Sequence, residues 1–120
     1  MSNDWEKMET EMSAELCALR VGAPDVMKGF SALALAALKA DALDRKTKEL
    51  IALAIAVATR CNPCIAFHAD AALQQGASRQ EVLETMGMAI YMGADPSAMY
   101  AAQALEAFDR FAARDAAKAA

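Results

Sequence analysis

The chain has no stretch of alternating apolar and polar residues with strand-type punctuation, so it offers no place for a sheet to begin. Its most apolar run, Leu50 to Thr59, follows a charged turn and falls well short of the roughly 20 residues that cross a bilayer. The 12 basic residues form no stripe or cluster, and the net charge is −4, which argues against a nucleic-acid partner. The opening segment Met1-Ser2-Asn3-Asp4-Trp5-Glu6-Lys7 is polar and acidic, unlike a signal peptide. A cytoplasmic protein, neither membrane-bound nor secreted, is expected. Three cysteines are too few for a disulfide framework. A closely spaced pair in a reducing compartment points instead to redox chemistry or metal binding. No flavin, haem or nicotinamide motif is visible, so no cofactor is expected. Histidine occurs once, which makes its position informative.

What is present favours helix. The composition is 57% hydrophobic and largely alanine. The 120 residues make one domain that buries about 65% of its unfolded surface. Small side chains imply close helix packing and apolar surface left over for other subunits, hence a homo-oligomer. The punctuation predicts an all-α fold of about six helices. The first runs from Asp4 to Arg20, and the second from Pro24 to about Ala40. The third runs from Arg45, capped by Asp44, to about Arg60. The fourth starts at Asn62-Pro63 and is closed by Gly76. The fifth opens on the capping box Ser78-Arg79-Gln80-Glu81 and ends at Gly93; the last starts at Asp95-Pro96. The third helix, with Leu50, Ile51, Leu53, Ile55 and Val57, is apolar almost all round and is expected to be buried on most sides.

Directly after it comes Cys61-Asn62-Pro63-Cys64-Ile65-Ala66-Phe67-His68. With Asn62 as N-cap, Cys64 is the second residue of a helix, where unpaired N–H groups favour a thiolate. His68 stands at i+4 from Cys64 and can take its proton directly or through one water. Cys64 is therefore favoured as the attacking sulfur and Cys61 as its resolving partner. In thioredoxin-type sites the first cysteine is the exposed one, which is the competing assignment.

Glu49, eleven residues, then Cys61-x-x-Cys64-x-x-x-His68 resembles the core motif of the AhpD-like alkylhydroperoxidases of the carboxymuconolactone decarboxylase superfamily. The resemblance spans about residues 44 to 108. It implies an all-helical fold assembled as trimers or hexamers. It also implies peroxide reduction through a sulfenic acid on Cys64, resolved by Cys61 as a disulfide, with His68 and Glu49 as a proton relay. The oxidant would be a peroxide or disulfide, and a dithiol or protein donor would supply electrons. Pro63 stands where the best-known AhpD proteins have a histidine, which removes one proton-transfer group. The decarboxylases that name the superfamily generally lack the CxxC, so its presence argues against their reaction.

If the third and fourth helices formed a plain antiparallel hairpin, Glu49 would lie about 18 Å before the turn and His68 about 9 Å beyond it. Contact between them requires a steep crossing or a neighbouring subunit. Other readings of these residues are a redox carrier or sensor exchanging disulfides with a partner, inert buried cysteines, and a structural zinc site. Zinc would use Cys61, Cys64 and His68, with Glu49, Cys17 or water as fourth ligand. Cys17 itself reads as a core residue of the first helix. Met86, Met88, Met92 and Met99 read as core or interface filler. Tyr91 and Tyr100 could offer a hydroxyl to a pocket.

Overall fold

Side-chain caps set several helix starts, those at Asp44 and Ser78 as the sequence predicts. Asp44 accepts the Thr47 N–H at 2.7 Å, and Asp4 accepts that of Lys7 at 3.1 Å. Ser78 and Glu81 form the reciprocal box, with Ser78 N–H donating to Glu81 Oε1 at 2.8 Å and Glu81 N–H to Ser78 Oγ at 3.0 Å. The computed structural model describes residues 3–120; Met1 and Ser2, the start of the polar opening segment, lie outside the described residues. Five helices follow one another: α1 Trp5–Gly22, α2 Pro24–Leu38, α3 Arg45–Ala58, α4 Asn62–Gln74 and α5 Arg79–Ala119. Among the described residues there is no strand, and no helix is long and apolar enough to cross a membrane.

The expected fifth and sixth helices are the two arms of α5. They meet at a kink where Ala94 leaves helical geometry (φ 60°, ψ −154°), beside Gly93 and Pro96. A side chain at Gly93 would overlap buried Ser97, so the bend brings backbone and side chain too close for a Cβ.

Helices α3, α4 and α5 pack on one another, and α1 lies across α4 and α5. Leu53 and Val57 of α3, Ile65, Ala66 and Ala69 of α4, and Val82, Ala104 and Phe111 of α5 fill their common core. Each fully buried branched or aromatic side chain contributes about 1.5–3 kcal/mol, while alanines let the helix axes approach. Trp5 is fully buried as well, its indole N–H donating to Glu106 at 2.8 Å and anchoring the start of α1.

Within the chain, α3 turns Leu53, Ala56 and Val57 to the core, while Ile51 and Ile55 are about half exposed. Its apolar sequence serves two faces, only one of which has a partner within the chain. Cys17 is an exposed free thiol and not a core residue, because α1 turns that side to solvent.

Candidate active site

Helix α3 ends in a tight motif in which Arg60 N–H donates to Val57 O at 3.2 Å and Cys61 N–H to Ala56 O at 3.0 Å. This sets Cys61 in extended conformation (φ −108°, ψ 95°), ready to cap the next helix. The N-cap of α4 is thus Cys61 and not Asn62, which shifts Cys64 from second to third helical residue. The Cys64 N–H donates to Cys61 Sγ at 3.3 Å. The helix-end donor therefore reaches the sulfur of Cys61, whereas the sequence pointed it at Cys64. The Asn62 side-chain oxygen, relieved of capping, is buried without a hydrogen-bond partner.

Cys61 and Cys64 are joined as a disulfide, their Cα atoms 5.2 Å apart. Among the described residues no three histidine, cysteine or carboxylate side chains converge as metal ligands, so the geometry gives the zinc reading no support. The disulfide consumes two of the proposed ligands, and Cys17 lies exposed on α1.

Within a single chain, His68 Nδ1 meets Glu49 Oε1 at 2.8 Å. Helices α3 and α4 therefore do not run as a plain hairpin, and no second subunit is needed for this contact. Glu49 is 1% exposed, and its other oxygen accepts from Arg45 Nε at 2.9 Å. A carboxylate gripped by a guanidinium acts as an acceptor, so Nδ1 carries the hydrogen and Nε2 keeps the lone pair. Arg45 had not been singled out in the sequence. Its i,i+4 spacing to Glu49 was the available signal.

Cys64 and His68 share an open cleft of about 240 Å³ with Ala52, Ile55, Ala56 and Thr59. The wall is apolar apart from the histidine and the threonine hydroxyl. Thr59 caps α3, its hydroxyl donating to Ile55 O at 2.9 Å. Neither Tyr91 nor Tyr100 lines this cleft. Of the four methionines, Met86 is buried in the core, while Met88, Met92 and Met99 are exposed on α5.

The comparisons with known proteins agree with this architecture. A carboxymuconolactone decarboxylase family protein from Legionella pneumophila superposes with a TM-score of 0.89 at 51% identity, covering 92% of this chain and 98% of that one. A Thermotoga maritima member, for which a part in the antioxidative response has been suggested, superposes with a TM-score of 0.83 at 26% identity, covering 92% and 94%. An uncharacterised protein of Cupriavidus necator is 38% identical over 109 residues, which are 91% of this chain and 96% of that protein. The profile of one family matches residues 24–107, from the start of α2 through the disulfide to the far arm of α5. The chain belongs to the carboxymuconolactone decarboxylase family.

Proposed function

We propose that the protein is an AhpD-like thiol-dependent hydroperoxide reductase. The observation that supports this best is the placing of Cys64 and His68 in one apolar cleft, with His68 oriented by buried Glu49, which Arg45 holds from the partly exposed side. In the reduced protein, His68 Nε2 takes the Cys64 proton. Glu49 accepts from Nδ1, which leaves Nε2 as the ring nitrogen that handles the proton. The thiolate attacks the near peroxide oxygen, the O–O bond breaks, and the departing alkoxide takes the proton from His68. Cys64 is then a sulfenic acid. Cys61 sulfur attacks Cys64 sulfur, the S–O bond breaks, and water leaves as the disulfide forms. A dithiol donor restores both thiols and is itself oxidised to a disulfide.

The antioxidative role suggested for the Thermotoga relative is consistent with this chemistry. Assembly as a homo-oligomer and residence in the cytoplasm, where thiol donors keep such a pair cycling, belong to the same proposal. Cys64→Ser is expected to abolish peroxide consumption in a coupled assay with dithiothreitol, while Cys61→Ser accumulates sulfenic acid that a dimedone probe traps. Full activity of Cys64→Ser would overturn the assignment. Thiol loss that requires a partner disulfide, with none from peroxide, would identify a redox carrier instead.

A further inference from the structure

Helices α3 and α4 end in the same hydrogen-bond motif with different residues at its tightest point. At the end of α4, Gly76 N–H donates to Leu73 O and Ala77 N–H to Ala72 O, both at 2.9 Å, with Gly76 at φ 86°. At the end of α3 the matching donors are Arg60 and Cys61, with Arg60 at φ 58°. Glycine adopts this left-handed conformation freely, whereas an arginine is strained in it. The strained residue immediately precedes the redox cysteine. Burial does not account for the arginine, because it is exposed. Ion pairing does not either. Arg45, Arg79, Arg110 and Arg114 each hold a carboxylate, while Arg60 has no ion pair among the described residues. Arg20 is likewise unpaired, but it sits in ordinary helical geometry in the last turn of α1.

The two sulfurs also differ in surroundings. Cys64 lines the apolar cleft with His68; Cys61 does not line it and has the Arg60 cation as its chain neighbour. We propose that Arg60 selects a negatively charged thiol as reductant of the Cys61–Cys64 disulfide, an inference that rests on the redox reading of this site. The donor thiolate attacks Cys61 sulfur, the S–S bond breaks, and the electron pair leaves on Cys64, which takes a proton from His68 or solvent. A second donor thiolate attacks the donor sulfur of the mixed disulfide. The donor is released as its own disulfide, and Cys61 leaves as a thiolate that the Cys64 N–H already faces. Two donor thiols are oxidised for each protein disulfide reduced. Uncharged oxidant enters through the cleft, and anionic reductant approaches from the Arg60 side.

The test compares reduction of the oxidised protein by 2-mercaptoethanesulfonate, 2-mercaptoethanol and cysteamine at low ionic strength, with rates expressed per thiolate. A unit charge about 7 Å away in water changes the local concentration of a charged probe about threefold. The wild type is therefore expected to favour the anionic over the cationic thiol by about tenfold. Arg60→Gly should bring that ratio to about one while raising Tm by roughly 4 °C, because the strain is relieved. Arg60→Lys should keep the preference, and high salt should erase it in the wild type. The same ratio in the wild type and Arg60→Gly overturns the role of Arg60 and leaves the redox reading intact. Resistance of the wild-type disulfide to all three thiols overturns the redox reading and the inference with it.

Discussion

Glu49 is where residue-level physics has the largest consequence. It is fully buried; one carboxylate oxygen meets Arg45 through Nε and Nη2, and the other meets His68. Glu49→Gln keeps the shape but removes the charge from the oxygen that meets His68 Nδ1. Alkylation of reduced Cys64 by iodoacetamide at neutral pH is expected to slow, because the histidine beside it loses its orienting partner. Peroxide turnover at neutral pH should fall by about tenfold or more. The loss of one charged hydrogen bond should cost about 1–2 kcal/mol of stability, read by urea unfolding. An unchanged alkylation rate with undiminished turnover would reduce Glu49 to a structural role. The participants in this site were legible because glutamate, cysteine and histidine are chemically distinctive at fixed spacing. The geometry was less legible. Reach between Glu49 and His68 depends on how α3 crosses α4, which no local pattern encodes. The left-handed turn at Arg60 was hidden as well, because glycine or asparagine is the residue that normally announces it.

At the scale of elements, helix ends were read well and helix faces poorly. Asp44, Gly76 and the Ser78–Glu81 box act through local hydrogen bonds, so their signals survive in sequence. Which side of α1 finds a partner is decided by the rest of the fold, which is why Cys17 reads as core in the sequence and yet lies exposed. The seam that fixes α1 was also unforeseen. Glu9 of α1 faces Asp70 of α4, which accepts from Arg114 at 2.9 Å and from Gln74 at 3.1 Å. Arg114 and Gln74 also hold Asp115, Lys118 lies near Asp115, and Glu6 on α1 pairs with Arg110. One guanidinium thus serves several carboxyl groups. Burial and the hydrogen bond to Asp70 push the Glu9 carboxyl up to about 7. Asp70, despite its own desolvation, is held below the ordinary range by hydrogen bonds from Arg114, Gln74 and Glu9.

The signs are opposite. A raised carboxyl keeps its proton in the folded state after the unfolded chain has lost it, so stability declines as pH rises from about 4.5 to 7 and is level above. The Asp70 contribution is present above its unfolded value and is lost only as pH falls below the ordinary carboxylate range. Glu9 is only part-buried, so the effect is discounted for solvent screening to about 1 kcal/mol, or roughly 4 °C in Tm. The wild type should melt at lower temperature at pH 8 than at pH 5.5. Glu9→Gln, whose amide can donate to Asp70 at any pH, should flatten that difference. An unchanged pH profile in the variant would show that Glu9 does not carry it.

The whole molecule exposes more surface than a free monomer of its mass normally does. Its 7488 Å² compares with about 6,200 Å² expected for 12.7 kDa, and its radius of gyration of 14.7 Å with about 13.6 Å. The excess is concentrated on particular faces. Helix α2 turns Met27, Ala34 and Leu38 inward but Val26, Phe30 and Leu33 outward, the last three 71%, 60% and 64% exposed. On α3, Ile51 and Ile55 are also exposed, and Ile55 lines the Cys64–His68 cleft. Large apolar patches of this kind are candidate association surfaces. Self-association through these faces would also exclude water from the cleft wall at Ile55, where the proposed chemistry brings the oxidant to Cys64. Phe30→Glu combined with Leu33→Glu should therefore shift the protein to monomer in sedimentation velocity while leaving the Glu49–His68 contact inside each chain. If covering the cleft matters, peroxide turnover per site should fall several-fold in that monomer, while alkylation of Cys64 by small, soluble iodoacetamide should not slow. A variant that remains assembled would move the association surface elsewhere. A monomeric variant with undiminished turnover would show that the intrachain relay suffices.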